Sequence, residues 1–107
     1  MSLAGAERIR VVLNDQPAVT ERKMFGGLAF LVAGNMACGI VGEDLMLRLG
    51  GDGAEAALDA PPTRPMDFTG RPMKSMVYVA PAGFAREQEL RAWVGRGVAY
   101  ARSLPPK

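Results

Sequence analysis

From Leu28 to Ala33 every position is apolar: Leu28, Phe30 and Val32 alternate with Ala29, Leu31 and Ala33. A period of two with both faces apolar predicts a strand covered on both sides. The stretch around it, from Thr20 to Gly50, reads as four strands with a glycine at each joint. In the first, Thr20, Arg22 and Met24 face one way and Glu21, Lys23 and Phe25 the other, a charged pattern that suits an edge strand because charge discourages stray pairing. The motif Met24, Phe25, Gly26, Gly27 ends it, and two adjacent glycines permit a bulge, a tight turn or close approach of another backbone. Gly34-Asn35 can supply the positive φ angles of a hairpin turn, with Met36 to Val41 returning as the partner strand. After Gly42-Glu43-Asp44, Leu45, Leu47 and Leu49 share one strand face, and Met46 and Arg48 the other. The simplest connection of such strands is an antiparallel meander.

The flanking segments switch to the period of a helix. Ser2 can cap a first helix that places Ala6, Ile9, Val12, Leu13 and Gln16 on one face, with Pro17 as its stop. Gly50-Gly51-Asp52-Gly53 leads into a short helix, Ala54 to Leu58, with Asp52 as cap and Pro61-Pro62 beyond. A glycine-rich helix entry can hold phosphate, but Asp52 and Glu55 repel an anion and no GKS or GKT follows. Arg64 to Phe68 and Met73 to Ala80 read as a second hairpin around Thr69-Gly70-Arg71-Pro72, with Ser75, Val77 and Val79 opposite Lys74, Met76 and Tyr78. From Arg86 to Leu104 a last helix gathers Leu90, Trp93, Val94, Gly97, Ala101 and Leu104 into one stripe. The expected fold is α+β: a two-layer sandwich in which an antiparallel meander sheet of five to six strands packs against N-terminal, middle and C-terminal helices.

Composition narrows the chemistry. The 107 residues suit one domain spanning 1–107, and no apolar run approaches the roughly 20 residues of a membrane span. Neither an anchor nor a signal peptide is expected, which makes the cytoplasm the default location. There is no histidine, and the one cysteine, Cys38, lies between Met36 and Ile40 on an apolar strand, where it acts as a small hydrophobe with a raised thiol pKa. No catalytic residue, cofactor or metal site is therefore assigned. Thirteen basic against eleven acidic residues leave a net charge of +2, so nucleic acid is possible but composition does not support it. One cluster stands out: Arg22, Lys23, Arg48, Arg64, Arg71 and Lys74 could converge at one end of the sheet, either as surface ion pairs or as a site for an anionic ligand or partner.

Five segments carry a family likeness: RKMFGG at 22–27, LAFLVAGNMACGI at 28–40, LMLRLG at 45–50, RPMDFTGRPMK at 64–74 and VYVAP at 77–81, with ELRAWV and YARSLPPK in the final helix. In order and spacing the chain resembles the N-terminal domain of the TfoX/Sxy family of competence regulators. The resemblance implies a non-catalytic co-regulator that acts through a protein partner, a DNA-bound transcription regulator. The named regulators carry a second, C-terminal domain while this sequence ends at Lys107, so a stand-alone N-terminal domain is expected and the competence role is not carried over. A small anionic-ligand site and direct nucleic-acid binding are the alternatives. A symmetric homodimer, through the sheet or the first helix, is expected as well, because Ala29, Leu31, Ala33, Ala37 and Val41 make the sheet face away from the helices apolar. A loop at 59–65 folded over that face is the other solution.

Overall fold

The alternation between Thr20 and Gly50 forms four strands, β1 (Val19–Met24), β2 (Gly27–Val32), β3 (Asn35–Val41) and β4 (Asp44–Arg48), in a computed structural model that describes residues 3–24, 26–68 and 71–106. The predicted Ser2 cap, Phe25, the Thr69-Gly70 turn and the Lys107 tail lie outside the described residues. Helix α1 (Leu3–Val12) precedes the strands. After them come α2 (Gly50–Ala57), β5 (Thr63–Phe68), β6 (Arg71–Val79), a 3-10 turn at Pro81–Gly83 and α3 (Glu87–Ser103). All six strands join one antiparallel sheet in the order β1-β2-β3-β4-β6-β5.

The meander thus holds only as far as β4, which pairs with β6 and not with the next strand in sequence. Residue chemistry accounts for the exchange. β6 has apolar residues on both faces, whereas β5 carries Pro65, which has no N–H for a second ladder and belongs at an edge. The charged β1 occupies the other edge, as its pattern predicts.

One sheet face packs against all three helices. Phe30, Val32, Cys38, Ile40, Leu45, Leu47, Val77 and Val79 share a buried cluster with Ala6, Ile9 and Leu13 of the α1 segment, Ala54 and Ala57 of α2, and Leu90, Val94 and Ala101 of α3. The opposite face forms a second cluster from Ala29, Leu31, Met36, Met46, Met66 and Met76, all at most 8 % exposed, with Met24, Val41 and Tyr78 against it. Among the described residues, the members of this cluster all come from the strands. Four of its members are methionines, unbranched side chains that fill irregular space, and all are buried within the single chain. Two of the residues assigned to it lie elsewhere. A bulge between Phe30 and Leu31 turns Ala37 to the helix side, and Ala33 sits in a turn with φ of 51°.

Local boundaries move where a specific bond wins. The β2–β3 turn is Ala33-Gly34, both at positive φ, and Asn35 is the first residue of β3. Its Nδ2 donates to the Pro105 carbonyl at 2.9 Å, which ties the strand start to the segment after α3. α1 stops at Val12, well before Pro17, where Leu13 N–H closes on the Ile9 carbonyl and Asn14-Asp15 turn away. α2 begins at Gly50, so Asp52 lies in its first turn and is not the cap. The close approach of Tyr100 requires glycine at 50, where an added Cβ would stand 2.6 Å from its ring.

Candidate functional site

The six basic residues do not gather at one place. Strand register sets Arg22, Lys23 and Arg64 toward the end of the sheet that carries the β1–β2 and β3–β4 turns, and Arg48, Arg71 and Lys74 toward the other end. β1 and β5 are moreover opposite edges, five strand steps or about 24 Å apart along an uncurled sheet. Arg22 and Lys23 are exposed. Arg64 lies 4.6 Å over the Tyr78 ring and pairs with Asp44 at 2.5 Å, so the register and not the sequence distance brings that pair together. Arg48 stacks on Tyr100 of α3 at 5.6 Å. Arg71 opens β6 opposite Phe68.

Lys74 reaches a concave surface. Together with Asp52, Ala54, Glu55 and Leu58 of the α2 segment and Pro65, Met66 and Met76 of the second hairpin, it lines a cleft of about 420 Å³. The cleft lies where α2 packs against β6, with β5 beyond it at the sheet edge and the buried Met66 and Met76 as an apolar floor. Leu58, 38 % exposed, stands at its rim. Asp52 and Glu55 on the α2 wall oppose Lys74 across it, which suits an apolar occupant with mixed charge at its margin and disfavours an anion. Leu58, Met66 and Met76 were not singled out from sequence; the spacing of methionines on both hairpin strands was the one available signal.

The glycine motif has a backbone purpose. Gly26 takes φ of +75°, a conformation that side chains rarely adopt, and an added Cβ at Gly27 would stand 2.0 Å from the Ile40 carbonyl oxygen. A tight turn and a close approach of backbones therefore sit side by side, and Met24 packs against the methionine cluster.

Cys38 is fully buried on the helix side, and loss of solvation pushes its thiol up to about 12. A neutral thiol with that pKa is a poor nucleophile. Among the described residues no group of three or more His, Cys, Asp or Glu side chains could hold a metal ion, and no helix is long and apolar enough to cross a membrane.

Six antiparallel strands with three helices on one face and a methionine-floored groove at one edge define a small α+β domain. Residues 12–101 match the TfoX N-terminal domain family, and the chain belongs to it. No curated protein and no solved structure gives a significant match.

Proposed function

We propose that the domain is a non-catalytic regulatory module that docks a protein partner in the groove between α2 and the β5–β6 hairpin. The observation that carries this reading is the groove's lining: an apolar floor of Met66 and Met76 beneath a half-exposed Leu58, with Asp52, Glu55 and Lys74 at the margin. Methionine side chains adapt to differently shaped apolar partners, the property that recurs on surfaces that recognise proteins. Family membership supports the same reading, with a cytoplasmic transcription regulator as the partner class that the likeness suggests. An anionic ligand is the weaker alternative, since Asp52 and Glu55 face the same space as Lys74.

Leu58→Lys tests the proposal. A cation at the C-terminal end of α2 favours the helix dipole, so the variant should melt within a few degrees of the parent. It should nevertheless lose the partner that the parent retains from a lysate of its host, as read by mass spectrometry. Equal retention of the same protein by both forms would reject the groove. Retention on bare DNA that fades steeply with salt, without any protein captured, would favour direct nucleic-acid binding.

A further inference from the structure

Two glycines interrupt α3, and only one has a reason within this chain. At Gly97 an added Cβ would stand 2.3 Å from the Ala37 carbonyl oxygen, so the packing of α3 on β3 demands glycine there. At the exposed Gly95 an added Cβ would meet nothing within 4 Å. Glycine in an exposed helix interior forgoes the stability that alanine would supply. Gly95 instead borders a groove.

α1 and α3 pack side by side, and the seam between them holds a cleft of about 360 Å³ with the buried Leu13 and Val94 at its floor and Gly95 and Ala99 on its α3 wall. A second cleft of about 200 Å³ continues the seam toward the start of both helices, beside Val11, which is 58 % exposed. Gly95 and Ala99 lie one helical turn apart and carry nothing beyond a Cβ, so a third helix can approach this wall closely.

The seam is also basic. Arg91 and Arg102, eleven residues and hence about 16 Å apart along α3, flank the larger cleft. Arg102 donates to neutral oxygens, Gln16 Oε1 at 2.9 Å and the Pro17 carbonyl at 3.2 Å. Arg8, beside the smaller cleft, likewise donates to the Phe84 and Ala85 carbonyls. Of these three arginines, only Arg91 meets a carboxylate among the described residues, Glu87 at 3.3 Å, and that pair is exposed. Among the residues lining the two clefts three arginines stand against one glutamate, which gives a trough of apolar floor and polar walls a positive margin. We infer that the α1–α3 seam docks an acidic amphipathic helix of a protein partner, its apolar stripe on the trough and its carboxylates toward Arg91 and Arg102. A nucleic-acid backbone offers nothing to the valine and leucine floor, which is why a helix with both features fits better.

The probe is a fluorescein-labelled peptide of about 20 residues, helical by design, with leucines at three- and four-residue spacing flanked by glutamates. Fluorescence anisotropy at low salt should give a Kd on the order of 10 µM, at least about tenfold tighter than for the same peptide with lysines in place of the glutamates. Gly95→Gln keeps the charge, favours the helix and fills the trough, so it should raise the melting temperature by about 4 to 8 °C while weakening the peptide at least about tenfold. Arg91→Gln combined with Arg102→Gln should erase the preference for glutamate. Equal binding of the two peptides, undiminished binding to Gly95→Gln, or binding of a labelled DNA duplex with neither peptide bound would overturn the inference. Gly95→Gln leaves the α2 groove untouched, so this result and that of Leu58→Lys are read separately.

Discussion

Gly26 and Gly27 illustrate how adjacent identical residues can answer different demands. The first serves a positive φ in open space, the second a strand-to-strand approach that leaves no room for a methyl group. Alanine at 26 should cost about 1 to 2 kcal/mol through the left-handed backbone. Alanine at 27 should cost more, about 2 to 3 kcal/mol, because a carbonyl oxygen must move. Urea denaturation that ranks the two the other way would show the local geometry is misassigned. Cys38 makes a prediction with a pH sign. Its thiol ordinarily titrates near 9.0 and is pushed up to about 12 by burial. Below pH 9 both folded and unfolded chains hold the proton, so nothing changes. Between pH 9 and 12 only the unfolded chain releases it, and stability should fall by about 1 kcal/mol per pH unit. Cys38→Ala should lack that component when urea midpoints at pH 8.5 and 10.5 are compared, and an unchanged slope would contradict the burial.

At the scale of elements, α3 is the member that organises the helix layer. It runs from Glu87 to Ser103, one residue inside the predicted range at each end, with the Glu89 carboxylate accepting the Arg86 N–H at 3.0 Å to close its first turn. Its buried stripe is Leu90, Val94, Gly97, Val98 and Ala101. Trp93, expected inside that stripe, stands at its margin, half-buried, and its Nε1–H donates to the Gly83 carbonyl at 3.0 Å. The indole therefore joins α3 to the 3-10 turn at Pro81–Gly83. Trp93→Phe should lose about 1 kcal/mol with the donor, and Trp93→Ala about 2 to 3 kcal/mol, less than a fully buried tryptophan would. Equal melting of Trp93→Ala and the parent would remove the anchor. α1 is tied to the sheet differently, by Arg10 bridging Glu7 and Glu21, and the Arg10 guanidinium holds the Glu21 carboxyl below its usual pKa. Both side chains are exposed, so this link should weaken with added salt.

For the whole molecule, the question posed by a two-faced sheet is what covers its second face. Leu31 is 8 % exposed and Ala29 and Met46 are fully buried within the single chain, so these residues need no second copy to leave water. A homodimer proposed on other grounds has the first helix as its surface, where Val11 is 58 % exposed. Sedimentation equilibrium at tens of micromolar distinguishes the cases. A species of 11.4 kDa is the outcome expected from burial within one chain, whereas a species of twice that mass converted to monomer by Val11→Glu would establish pairing through α1. Dissociation by a charge at Leu31 instead would return the interface to the sheet.

Local chemistry by itself determined most of the element map. Periods of two and of 3.6 placed β1 to β4 and α3 because those patterns answer a single demand, an apolar face beside a polar one, that neighbours along the chain express directly. The edge role of β1, the burial of Cys38 and the need for glycine in the 26–27 pair were legible for the same reason. Family-like segments quoted along the chain likewise led to the TfoX N-terminal domain. What only the tertiary structure decided were relations between distant residues. Whether β5 or β6 lies beside β4 depends on a crossover that no periodicity records, and that order creates the groove containing Lys74 and separates the basic residues into different parts of the sheet. Asn35 leaves its turn because Pro105, 70 residues away, accepts its amide, and Ala37 changes face because one bulge inverts the alternation. The reach of a hydrogen bond or the slip of one register position is settled by packing in three dimensions, where sequence separation carries little weight.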